Sequence, residues 1–251
     1  MCKKISHSIK LLISGLYDMN NTRKLVYKYN IFSKILSYFN NKFQLKLLSF
    51  YKEKEIVNLI KNIKNDIDFA FYPIEAFHVY SITKSQSILE GDIAEVGVYQ
   101  GGSAKLICEA KGEKTLHLFD TFEGLPKVTE EDTHFGMKYW ETGEFKNTSI
   151  EKVKNYLSKY NNLRFYKGKF PETAEPINKK QFSFVHLDVD LYQSTLDCLK
   201  FFFPRMVNGG IILSHDFHTN GVKKAFREYF KDKNIPQIEL SSSQCLVIKS
   251  T

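Results

Sequence analysis

Two groups of residues in this chain have the types and spacing to do chemistry. The first is Ala94-Glu95-Val96-Gly97-Val98-Tyr99-Gln100-Gly101-Gly102-Ser103, an apolar run that ends on an acid, turns on glycines and enters a helix near Ser103. Glycine lets backbone approach a ligand without a Cβ in the way, and the helix start behind it offers free N–H groups. A dinucleotide site would use G-x-G-x-x-G, because a pyrophosphate needs that turn and the positive helix end. Here the pattern is E-x-G-x-x-x-G-G. A carboxylate at a strand tip repels a pyrophosphate but suits the cationic methionine end of S-adenosylmethionine. Asp120, 25 residues after Glu95, ends the next apolar run, Leu116-His117-Leu118-Phe119. An acid there accepts hydrogen bonds from ribose hydroxyls, and Gly168, after the third run, falls near the adenine. The competing reading is that Glu95 and Asp120 only close strand-end turns.

The second group is His186-Leu187-Asp188-Val189-Asp190-Leu191-Tyr192, at the end of the most apolar run, with Ser214-His215-Asp216-Phe217 ending the fifth. Neighbouring strands lie about 5 Å apart, and ligands of open α/β sheets bind beyond the C-terminal strand ends. Asp188 and Asp216 are therefore expected to converge beside the reactive methyl. Paired carboxylates with bound water suit Mg²⁺ or a similar hard ion, which would lower the pKa of an acceptor hydroxyl and orient it. Asp188 and Asp190 could instead cap the following helix.

Residues 1 to about 85 read as helices, and from Gly91 short apolar runs alternate with helical patterns, the rhythm of a parallel sheet with crossover helices. Strands are predicted at 92–98, 115–120, 163–167, 182–189, 210–215, 236–240 and 245–249. Helices are predicted at 102–110, 150–160, 191–203 and 221–231. Asn208-Gly209-Gly210 reads as a break before the fifth strand. Residues 126–145 lack apolar periodicity and read as a long loop, often an active-site cover. Within it His134 is a candidate general base or an ordinary exposed histidine, and Tyr139-Trp140 could stack on a sugar or anchor the cover. His78 and His117 read as packing residues. The expected fold is thus α/β, with a basic helical extension or lid over 1–85 and a cofactor-binding domain over 86–251.

Four blocks in order, Glu95–Ser103, Phe119-Asp120-Thr121-Phe122-Glu123-Gly124-Leu125-Pro126, the segment L-D-V-D-L-Y-Q-S over 187–194 and residues 209–217, resemble the macrocin O-methyltransferase family over roughly residues 75–235. The resemblance implies a class I, Rossmann-like methyltransferase sheet, mostly parallel with an antiparallel C-terminal strand. It also implies S-adenosylmethionine as cofactor, a sugar hydroxyl as acceptor, and a Mg²⁺ ion held by an acid matching Asp188 and two consecutive acids after the fifth strand. The chain departs from that pattern at His215, which stands where the first acid would. Histidine favours softer ions such as Zn²⁺ or Mn²⁺, or could act as a general base in place of the metal. The candidate metal set is accordingly Asp188, His215 and Asp216.

The net charge of +8 is local: residues 1–72 hold 13 Lys/Arg against 5 Asp/Glu, and the rest holds 23 of each. The leader alternates lysine with apolar residues, which reads as basic amphipathic helix, either a packing element or a peripheral contact with an anionic surface. No apolar run approaches the ~20 residues of a membrane span, and no cleaved signal peptide is expected. Four cysteines without a paired spacing suggest reduced thiols and a cytoplasmic protein. The expected partners are a small-molecule or carbohydrate acceptor and a second copy in a homo-oligomer, with no nucleic acid. Two other classes stay open: a nicotinamide-dependent oxidoreductase, which would want the missing G-x-G-x-x-G turn, and a degenerate scaffold protein.

Overall fold

The computed structural model describes residues 30–134, 137–138 and 140–250. The chain divides into two compact units, residues 1–52 and 53–251. In the first, the described element is α1 (Asn30–Tyr51). The second opens with α2 (Lys54–Asp66), whose buried Ile56, Val57, Ile60 and Ile63 form one stripe at helical spacing. Next comes α3 (Pro73–Gln86), started by Pro73 at the first turn and by Glu75, whose Oε2 accepts the Tyr72 N–H at 2.7 Å. Helices α2 and α3 lie in the same compact unit as the sheet.

A seven-stranded sheet follows, in the order β5-β2-β1-β6-β7-β9-β8. Its parallel core is β1 (Asp92–Val96), β2 (Leu116–Asp120), β5 (Leu163–Lys167), β6 (Phe182–Leu187) and β7 (Met206–Ser214). At one edge β9 (Cys245–Ile248) runs antiparallel to both β7 and β8 (Gln237–Glu239). Crossovers are made by α4 (Gly102–Ala110), α5 (Ile150–Tyr156), α6 (Tyr192–Phe202) and α7 (Asn220–Phe230). β6 is buried along its whole length, as a central parallel strand covered on both faces must be. The core around it is aromatic: Phe182, Phe202 and Phe170 pack with ring centroids 5.1 Å apart at each contact.

Two local expectations are corrected. The Gly209-Gly210 pair does not end an element; β7 runs through it, and the β6–β7 register shifts between Phe182 and Phe184. Glycine in a strand interior commonly marks such a bulge, and Gly209 takes φ +81° there. The loop at 126–145 also contains a two-strand hairpin, β3 (Thr133–His134) with β4 (Met137–Lys138), too short to show a period. Its neck is closed by backbone bonds from Leu125 to Glu144 and from Gly143 to Leu125.

Cys108, Cys198 and Cys245 are buried thiols outside any disulfide, and Cys2 lies outside the described residues. Among the described residues no helix is long and apolar enough to cross a membrane.

Candidate active site

A cleft lies over the C-terminal ends of the parallel strands. Gly97, Gly102, Ser103, Asp120 and Gly168 line it, as do Asp188, Asp190, His215 and Asp216. The loop contributes Leu125, Pro126, Trp140 and Phe145 to its wall. Tyr139 and the side chain of His134 lie outside the described residues.

At the β1 end the chain turns at Gly97 with φ +88°, where a Cβ would come within 1.8 Å of the Asp188 carbonyl oxygen. Only glycine lets β1 end flush against β6. Asp120 fastens this turn. Its Oδ2 accepts the N–H groups of Val98 and Tyr99 at 2.7 and 2.8 Å, and its Oδ1 accepts that of Phe122 at 2.6 Å. Two carboxylate oxygens offer about four acceptor directions, so Asp120 can close the turn and still receive a ligand hydroxyl. Gly101 is the left-handed cap of α4, directed at Val153, and is not part of the cleft wall.

Glu95 is not in the wall either. It is fully buried, with Oε1 2.8 Å from Nδ1 of His186 on the neighbouring strand. Burial raises its pKa to about 8 against the opposing pull of the Ser103 hydroxyl. Burial likewise lowers His186, to about 4. Burial thus disfavours charge on both partners, unlike the exposed carboxylate expected of a strand tip.

The other end of the cleft is built by register. Leu187 pairs with Ser214, and the ladder continues through the His215 N–H to Leu187 O bond at 2.7 Å. The next residues therefore meet. Nδ1 of His215 lies 3.3 Å from Asp188 Oδ1 and 3.0 Å from Asp216 Oδ2. The ligand atoms of Asp188, His215 and Asp216 all fall within 4.8 Å of one another. Asp190 and Asp216 hold left-handed backbone, φ +61° and +53°, conformations that Asp tolerates better than most residues.

Three residues that sequence reasoning did not single out hold His215 in place. Its Nε2 lies 3.1 Å from Ser243 Oγ and 3.5 Å from Glu75 Oε2, and Ser243 Oγ donates to Glu75 Oε1 at 2.6 Å. Phe71 stacks on the ring at 4.2 Å with planes 2° apart. The Pro73…Glu75 start signal marks a helix, but nothing local says that its carboxylate meets a serine 168 residues on.

The charges follow from this packing. Burial opposes the His215 cation, yet Asp216 and Asp188 outweigh it and hold the pKa well above the usual value. Burial also opposes ionisation of Asp216, and His215 overrides it, leaving that carboxyl at about 2. Glu75 comes to about 2 in the same way, through His215 and Ser243. Asp188 is raised, chiefly by burial. Asp190 is raised well above a normal carboxyl by burial and by Asp216 and Asp188.

Neither Asp188 nor Asp190 caps the following helix. The first N–H of α6, at Tyr192, goes to Asp132 Oδ1 at 2.7 Å, while Asp132 Oδ2 accepts from Thr129. The loop acid thus pins the loop to α6. His117 bridges Tyr166 and Asp92, and His78 bonds Gln244, both packing roles as expected.

Strand order, glycine turn and cleft position together define the Rossmann-like fold of class I methyltransferases. Residues 76–242 match the family model described as Macrocin-O-methyltransferase (TylF), and the chain belongs to that family. It is 29% identical over 151 residues to the 8-demethyl-8-(2,3-dimethoxy-alpha-L-rhamnosyl)-tetracenomycin-C 4'-O-methyltransferase of Streptomyces olivaceus, covering 55% of this chain and 58% of that one. It is 28% identical over 152 residues to the Mycinamicin III 3''-O-methyltransferase of Micromonospora griseorubida, covering 55% and 60%. The chain thus spans little more than half the length of these curated relatives. Among solved structures, the O-methyltransferase NovP superposes with a TM-score of 0.60 at 24% identity, over 70% of this chain and 80% of that one. The calicheamicin methyltransferase CalS11 gives 0.63 at 17%, over 85% and 93%. At these identities the likeness is one of fold.

Proposed function

We propose that this protein is an S-adenosylmethionine-dependent O-methyltransferase acting on a sugar hydroxyl of a glycosylated small molecule, with a divalent ion at Asp188, His215 and Asp216. The observation that carries the reading is one cleft with the glycine turn and Asp120 at one end and the Asp188–His215–Asp216 group at the other. The sugar acceptor is supported by the names of the relatives, one of which specifies a rhamnosyl substrate.

The residues fit both groups. Gly97, Gly102, Ser103, Asp120 and Gly168 would hold the cofactor, with Asp120 toward the ribose. Glu95 supports this end from behind the wall, through His186. The donor set for the ion is one imidazole and two carboxylates, suited to Mn²⁺, Zn²⁺ or a similar ion more than to Mg²⁺. A metal-bound imidazole ordinarily has its outer nitrogen held by a carboxylate or similar group, the relation His215 has with Ser243 and Glu75.

The cofactor supplies an electrophilic methyl group on a cationic sulfur. The ion, when bound, supplies Lewis acidity at the acceptor hydroxyl. This chain's own residues do the rest. Asp188, at the tip of β6, takes the hydroxyl proton on a carboxylate oxygen. Glu75 and Ser243 fix the ring of His215. Trp140 and Phe145 narrow the cleft and exclude water, which strengthens the electrostatics inside. His134, on the hairpin, is the second candidate base.

Product detection by mass spectrometry, using S-adenosylmethionine and a panel of nucleotide-linked and glycoside-linked deoxysugars, tests the activity. Methylation of at least one sugar hydroxyl is expected, and it is lost in Asp188→Ala. Turnover undiminished in Asp188→Ala would refute the assignment.

A further inference from the structure

Helix α1 is chemically unlike the rest of the chain. Its 22 residues include Lys34, Lys42 and Lys46 and no acid. Among its described side chains Phe39 is 63%, Phe43 65% and Phe50 73% exposed, with Ile35, Leu36 and Leu47 exposed beside them. At about 100° per residue these six side chains fall within an arc of about 120°, with Lys42 and Lys46 along one edge. Ser37, Asn40, Asn41 and Gln44 occupy the other side and bond among themselves: Asn41 donates to the Ser37 carbonyl at 2.8 Å, Gln44 to Asn40 Oδ1 at 3.1 Å.

We propose that α1 is an interfacial helix that lays this phenylalanine face into an anionic phospholipid surface, so that the protein binds membranes peripherally. Charge favours that surface as much as shape does. Residues 1–52 hold ten Lys/Arg and one acid, Asp18, while residues 53–251 hold 26 against 27. A second copy of α1 would bring lysine against lysine with no carboxylate to answer them, and the balanced remainder offers no acidic excess. An anionic headgroup layer supplies the missing charge, and the acyl boundary beneath it supplies a medium for the phenylalanines. Lysines at the edge of such a face extend their stems over apolar surface and keep their ammonium groups at headgroup level. Each basic residue near an anionic surface strengthens partition roughly fivefold.

The test is flotation of the full-length protein with phosphatidylglycerol-containing vesicles and with pure phosphatidylcholine vesicles. Partition onto the anionic vesicles is expected to be at least roughly tenfold stronger, and to weaken with salt. The triple variant Phe39→Ser, Phe43→Ser, Phe50→Ser keeps every charge and is expected to lose at least roughly tenfold of that partition. Should the triple variant fold poorly by circular dichroism, Phe43→Trp in an otherwise unchanged chain gives an independent reading: blue-shifted emission quenched by brominated lipid. No partition onto either vesicle, equal partition onto both, undiminished partition of a folded triple variant, or an unquenched Phe43→Trp would each overturn the proposal. So would a stable dimer in light scattering without vesicle binding, which would assign the face to a second copy.

Discussion

Nε2 of His215 lies 3.5 Å from Glu75 Oε2, a contact between the end of β7 and the first turn of α3. This contact, bridged by Ser243, leaves Nδ1 facing Asp188 and Asp216. Outer partners of a metal-bound imidazole are worth roughly 10- to 100-fold in metal affinity. Glu75→Gln is therefore expected to weaken Mn²⁺ binding, read by electron paramagnetic resonance of the free ion, within that range. Ser243→Ala should act in the same direction. Unchanged Mn²⁺ affinity in both variants would reduce Glu75 to a helix-start residue.

Replacing His215 by an acid tests the donor set. His215→Asp gives three carboxylates and is expected to shift preference from Mn²⁺ or Zn²⁺ toward Mg²⁺. Calorimetric titration of each ion into wild type and variant reads the shift directly. An unaltered order of affinities would mean that His215 does not touch the ion.

The buried Glu95 predicts a pH effect on stability. Its folded pKa, about 8, exceeds the ordinary value of 4.5. A raised folded pKa means that the native state binds the proton more tightly. The contribution is complete below about pH 4.5 and declines as pH rises through about 8. Urea midpoints of wild type relative to Glu95→Gln are expected to fall between pH 6.5 and 8.5. A difference independent of pH would show Glu95 already ionised at neutrality.

Much of this was legible in the chain. The strands β1, β2 and β6 announce themselves as apolar runs bounded by turns, because a buried parallel strand has no polar face to interrupt it. Neighbouring β6 and β7 then bring Asp188, His215 and Asp216 together by register. Glu75, Ser243 and Phe71 were not legible. They reach His215 only because α3 docks against the turn before β9, through Gln244 Nε2 to Glu75 O and Ser243 N to Glu75 Oε1. The glycines at 209–210 misled because a bulge and a chain break use the same residue. Glu95 misled because strand-tip exposure depends on the strand beside it, and β6 supplies a histidine there.

The Tyr192 N–H, the first amide of α6, donates to Asp132 Oδ1 and makes the loop part of the helix cap. Removing a capping side chain costs about 0.5–2 kcal/mol, which in a chain of this size is a fall in Tm of about 1–8 °C. Asp132→Ala is expected to lose that much in a thermal melt, and to raise proteolytic cleavage within 126–145. A variant with unchanged Tm and cleavage would mean that the loop is held by other contacts.

Calorimetric titration of S-adenosylmethionine into wild type, Asp120→Ala and Asp188→Ala, with NAD as the control ligand, bears most directly on the central claim. The account predicts binding to wild type and to Asp188→Ala with similar affinity, a loss of at least about tenfold in Asp120→Ala, one lost charge-assisted bond being worth about that much, and no heat from NAD. Binding of NAD in place of S-adenosylmethionine, or of neither, would contradict it.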